Sequence, residues 1–97
     1  MSRIPENEII RFYSEDKGVL IEAESGVFSV RERLYELEER FQGTKIVRVS
    51  NSEIVNLYKI QEIDLSFTGT IKFSMYSGST VYVSRRYVKK IKKVLGL

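Results

Sequence analysis

The sequence has no cysteine and no histidine, a single proline, and no acidic residue after Asp64. Without cysteine there is neither a disulfide framework nor a thiolate metal site, so folding energy has to come from burial. Without histidine the chain loses the usual general base near neutral pH, the commonest metal ligand and every Ser-His nucleophile pair, which argues against an enzyme. The carboxylates do not make up for this. Glu15-Asp16 falls in a turn, Glu36, Glu38 and Glu39 share a helical stretch with Arg33 and Arg40, and none has the spacing of an EF-hand loop. No cofactor or metal is therefore expected. No apolar run approaches the roughly 20 residues needed to cross a bilayer, and Ser2 to Asn7 lacks the apolar run of a signal peptide, so a cytoplasmic location is the expectation. Pro5 marks the expected edge of the ordered part.

The missing acids give the chain an electrical direction. Residues 65–97 carry Lys72, Arg85, Arg86, Lys89, Lys90, Lys92 and Lys93 with nothing to neutralise them, a charge of +7; residues 1–64 hold nine Lys/Arg and thirteen Asp/Glu, a charge of −4, and the two sum to +3. A one-sided cationic segment is the footprint of a surface that meets polyphosphate.

Ninety-seven residues with 42% apolar content make one domain with its own core, expected over about residues 8–95. Residues 8–13 and 19–24 read as a hairpin across the polar turn Ser14 to Gly18, and Val27, Phe28 and Val30 as a third strand. Ser29 and Glu32 have the spacing of a capping box. Val30, Leu34, Leu37 and Phe41 then follow on one helical face that stops before Gly43. Ile46 to Val49 is a short strand, Ser50-Asn51-Ser52 a turn, and residues 54–60 an apolar stretch with room for one helical turn. Strands near 60–67, 70–76 and 79–83 follow, joined by Thr68-Gly69-Thr70 and Ser77-Gly78. Ser84 caps a last helix in which Val88, Ile91 and Leu95 share one face and lysines populate the rest, up to Gly96. The fold class is mainly β with two short helices.

Three groups of residues bear on function. Arg85 and Arg86 stand at the start of the last helix, where the macrodipole disfavours cations, so helix stability does not ask for them there. Guanidinium groups can pair with guanine O6 and N7, and lysines can hold phosphates. Lys92 and Lys93 suit the helix end and point to general phosphate attraction. Asn51 lies in a Ser/Asn loop able to bond adenine N6 and N7, although Ser and Asn are also default turn residues. Lys17 occupies an ordinary hairpin turn, and Asn56 reads as a buried structural amide.

The segments Arg48 to Asn56 (RVSNSEIVN) and Val81 to Ile91 (VYVSRRYVKKI), with Ile60 and Gly78 between them and Leu-Tyr-Glu-Leu-Glu upstream, resemble the LytTR family of bacterial DNA-binding transcription regulators. The resemblance spans about Glu8 to Leu95. It implies an elongated sandwich of small antiparallel sheets whose loops, rather than a recognition helix, enter the major grooves of repeated half-sites. It assigns base contacts to Lys17, Asn51 and Arg86, and backbone contacts to Ser52, Arg85 and Lys89; Lys90 and Lys93 of the same cationic helix are expected to meet backbone phosphates as well. The partners it implies are double-stranded DNA, a second copy of the chain, and an upstream regulatory domain or a membrane-protein partner outside this chain. The family often has His where Ser50 stands and at or near Lys17, so base preference here is expected to differ. Two other readings remain open at this point. One is an RNA-binding β-module stacking bases on Tyr76, Tyr82 and Tyr87, which otherwise read as half-buried strand residues. The other is a protein-interaction module using the Leu34-Leu37-Phe41 face.

Overall fold

The computed structural model describes residues 4–97. After a 3-10 turn over Glu6–Glu8, β1 (Ile9–Glu15) folds back into β2 (Gly18–Ala23) and then β3 (Gly26–Val30). The first hairpin is tighter than its polar composition suggests, because Ser14 and Glu15 stay paired with Val19 and Gly18 and only Asp16-Lys17 turn. Asp16 takes the left-handed backbone that this requires (φ 53°), a conformation its short polar side chain tolerates.

Helix α1 (Leu34–Arg40) begins later than the Ser29–Glu32 spacing predicts. Ser29 remains in β3, paired with Leu20, and Arg33 is still extended (φ −82°, ψ 160°). Sheet pairing therefore commits the backbone that the capping box would have needed. The reciprocal half of a box forms four residues on, where the Glu36 carboxylate accepts from the Arg33 amide at 2.8 Å, and Glu32 instead pairs with Arg40 at 2.6 Å.

Strands β4 (Ile46–Arg48) and β5 (Glu53–Asn56) follow, then a 3-10 turn over Leu57–Lys59, β6 (Ile60–Asp64), β7 (Ile71–Met75), β8 (Thr80–Val83) and α2 (Arg85–Leu95). β6 ends three residues before the apolar pattern does. Asp64 accepts from both the amide and the hydroxyl of Ser66, turning the chain out of the strand and holding its own carboxyl below the usual range. Gly96 closes α2 in the left-handed conformation (φ 78°).

The strands form two antiparallel sheets, ordered β3-β2-β1-β5-β4 and β6-β7-β8. One face of the larger sheet, with Phe12, Ile21 and Ile54, buries Leu34, Leu37 and Phe41 of the α1 segment. Its other face, through Ile10 and Val55, packs on Ile71, Phe73, Val81 and Val83 of the smaller sheet and on Ile91 of α2. The body measures 41 × 27 × 24 Å, elongated as the family resemblance implies.

This packing removes the Leu34-Leu37-Phe41 face as a docking surface. Baring it would cost about 1.5–3 kcal/mol per side chain, and three such losses rival the whole stability of a small domain. Asn56 is buried (3% exposed), donating to Ile9 O at 2.8 Å and accepting from the Tyr58 amide at 3.0 Å. Asn56→Ala leaves both backbone groups unpaired and should lower stability by about 2–3 kcal/mol. A urea midpoint moved by less than the equivalent of about 0.5 kcal/mol would contradict this account.

Candidate nucleic-acid interface

Three segments far apart in sequence meet through two backbone hydrogen bonds. The Ser14 amide, in β1 two residues before the β1–β2 turn, donates to Ser52 O at 3.0 Å, and the Ser84 amide, at the start of α2, donates to Val49 O at 2.9 Å. The loop over residues 49–52 is thus the middle element, with the hairpin turn on one side and the helix start on the other. It is itself closed by the Val49 amide bonding Glu53 O at 3.0 Å, while the Val49 side chain is fully buried.

Lys17, Asn51, Ser52, Arg85, Arg86, Lys89, Lys90 and Lys93 are all exposed. The five ion pairs among the described residues, Arg11–Glu22, Arg11–Glu53, Arg40–Glu32, Arg48–Glu38 and Lys59–Glu24, draw every cation from before residue 65. The cations of α2 enter none of them. Arg86, Lys89, Lys90 and Lys93 recur at helical spacing on one stripe, away from buried Ile91. The hairpin tip differs in charge, since Lys17 follows Asp16 in the turn and Glu15 at the end of β1, and the three sum to −1. A phosphate gains little there, so any role of Lys17 has to come from directed hydrogen bonding.

At the start of α2, Ser84 occupies the cap position, but its hydroxyl makes no capping bond and lies 3.5 Å from Val49 O instead. The expected cap is therefore replaced by a tie to the central loop, and the first helical turn carries Arg85 and Arg86 without a side-chain acceptor. The Arg86 guanidinium lies 5.3 Å from the Tyr87 ring centroid. Arg85 lies against Gly69, whose backbone is left-handed (φ 74°); a Cβ there would stand 3.0 Å from Arg85 Nε, so a side chain at position 69 would displace the arginine. This neighbour from the β6–β7 loop was not foreseen from sequence, and its only trace was a glycine read as a turn residue.

The tyrosines do not form one stacking platform. Tyr76 and Tyr82 are exposed (68% and 51%), where strand residues were expected to be half-buried, and Phe67 packs edge-on against Tyr82 at 6.1 Å. The Ser74–Thr80 pair separates them along the hairpin, and Tyr87 packs against the core. A cleft of about 560 Å³ bounded by Glu6, Asn7, Thr44, Lys45, Tyr58 and Lys59 shares no residue with the three joined segments. Among the described residues no group of three or more acidic side chains converges as a metal site, and no helix is long and apolar enough to cross a membrane.

A family model described as the LytTr DNA-binding domain matches residues 1–96. Proteins named uncharacterized HTH-type transcriptional regulators in Staphylococcus aureus are similar to this chain. The one from strain NCTC 8325 is 35% identical over 91 residues, and that from strain MRSA252 is 34% identical, each match covering 94% of this chain and 61% of the relative. The chain thus spans about three-fifths of the length of the curated relatives it matches. The solved LytTr DNA-binding domain of a Bacillus cereus protein assigned as a methyl-accepting/DNA response regulator superposes with a TM-score of 0.91 at 28% identity, covering 97% of this chain and 86% of that one. The helix-turn-helix in the relatives' names has no counterpart among the described residues, since five strands separate α1 from α2.

Proposed function

Because the chain belongs to the LytTr DNA-binding domain family, we propose that it reads double-stranded DNA sequence-specifically as part of a bacterial transcription regulator. The observation that carries this reading is the pair of backbone hydrogen bonds that unites the hairpin turn, the 49–52 loop and the start of α2 beside an unneutralised cationic helix. Asn51 offers an amide that can bond an adenine edge, Arg86 a fork for guanine, and Lys17 a single directed donor. Ser52, Arg85, Lys89, Lys90 and Lys93 hold phosphates and set the register in which those base contacts fall. The loops enter successive major grooves of repeated half-sites, each occupied by one copy of a homodimer in the cytoplasm. The signal reaches the domain from a regulatory domain or a membrane-protein partner outside this chain.

The test is selection of randomised duplex DNA by the purified domain, followed by titration of the retained sites at two salt concentrations. A repeated motif should emerge. Four cationic phosphate contacts predict that log K falls with log salt at a slope of about −3.6. A slope shallower than about −1, or no enriched motif, overturns the reading. Preference for single-stranded RNA in the same assay would favour the stacking mode over groove reading.

A further inference from the structure

Arg48 is a cation that the proposed DNA surface does not use, and its side chain is only 15% exposed. Its Nε donates to Ser50 O at 3.0 Å, its Nη2 to Asn51 O at 2.7 Å, and its Nη1 to the Glu38 carboxylate of α1 at 3.1 Å. One guanidinium thus holds two consecutive carbonyls of the 49–52 loop and anchors them to α1. The Ser52 amide completes the arrangement by donating to Ser50 Oγ at 3.2 Å. With its carbonyl held by Arg48, Asn51 is exposed, and its side-chain amide makes no hydrogen bond to any described residue.

We propose that Arg48 is a positioning residue for sequence reading, presetting the 49–52 loop so that the Asn51 amide meets a base edge without first having to be ordered. Resting on the DNA-binding reading above, this adds the source of the loop's rigidity and a dependence of base discrimination on α1. A loop ordered in advance loses less entropy on binding, and that gain falls on the contacts the loop itself makes. Lysine cannot replace Arg48, because one ammonium has no planar fork to span two carbonyls and a carboxylate. Phosphate attraction is untouched, since lysine keeps the positive charge.

The experiment compares wild type, Arg48→Lys, Glu38→Gln, Asn51→Ala and the Arg48→Lys/Asn51→Ala double variant on the selected duplex and on an unrelated duplex, at two salt concentrations. Arg48→Lys should lose discrimination by on the order of tenfold while its affinity for unrelated duplex and its salt slope stay within about twofold. Glu38→Gln should shift discrimination in the same direction by less. In the double variant, Asn51→Ala should add little, because an unpositioned amide has little left to lose. A merely structural role would weaken both duplexes alike and leave the two losses additive, and either result overturns the proposal. So does an Arg48→Lys variant that discriminates like wild type, with the DNA reading itself intact. A wild type that prefers no duplex overturns the DNA reading and the positioning role together.

Discussion

Asn51→Ala is expected to weaken binding to the selected duplex by about 1–3 kcal/mol, a loss of roughly tenfold to a hundredfold, while affinity for unrelated duplex stays within about twofold. The removed amide is uncharged and free of hydrogen bonds to the described residues, so its loss disturbs neither the fold nor the salt slope. Arg86→Ala should cost a similar amount on the selected duplex and relax one base preference, and because its fork is assigned to a base rather than to a phosphate, the salt slope should stay near that of the wild type. Lys92→Ala serves as the contrast. It stands in the last turn of α2, away from the central loop, and should weaken all duplexes alike. Binding isotherms on both duplexes at two salt concentrations separate the two base contacts from general phosphate attraction. Equal losses for Asn51→Ala on selected and unrelated duplex would remove the 49–52 loop from base reading.

What could be read in advance divides along the range of the interactions involved. The strands follow from alternation in stretches such as Ile71–Met75, whose buried and half-buried positions alternate. α2 follows from the spacing of Val88, Ile91 and Leu95. These patterns need only neighbours in the chain. The start of α1 was misplaced because Ser29 answers to Leu20, its partner across the sheet, before it answers to Glu32 three residues on. The joining of the three segments proposed to read DNA depends on Ser14 finding Ser52 and Ser84 finding Val49, contacts that no local spacing encodes. Family resemblance, rather than periodicity, is what points to Lys17, Asn51 and Arg86 together. Even it left Arg48 as a letter in a motif, because the partners that give that residue its meaning are backbone carbonyls and a glutamate ten residues away.

Arg11→Ala should lower stability by about 2–4 kcal/mol at neutral pH, somewhat less than for breaking a fully buried pair. Arg11 donates to Glu22 at 2.6 Å and to Glu53 at 2.8 Å and lies 3.9 Å from the Tyr13 ring centroid. Glu22 also accepts from Ser79 at 2.8 Å and so joins the two sheets. Burial opposes the ionisation of both carboxyls. At Glu22 the hydrogen bonds from Arg11, Ser79 and Ser77 outweigh it and hold the carboxyl below its ordinary value, whereas at Glu53 burial prevails and the carboxyl is raised. Glu22 therefore contributes stability above the ordinary carboxylate range that is lost as pH falls through its lowered value. Glu53 acts in the opposite sense, costing stability as pH rises through the window between its ordinary and raised values. Without Arg11 both carboxyls should be raised, so protonation relieves the variant more than the wild type, and the gap measured by urea unfolding at pH 7 should narrow at pH 4. A gap of the same size at both pH values would assign the loss to packing on Tyr13 rather than to charge. The effect should reach the proposed reading surface as well. The backbone carbonyl of Glu53 closes the 49–52 loop onto Val49, so a strand loosened at Glu53 slackens the loop that presents Asn51. Discrimination should then fall before overall affinity does.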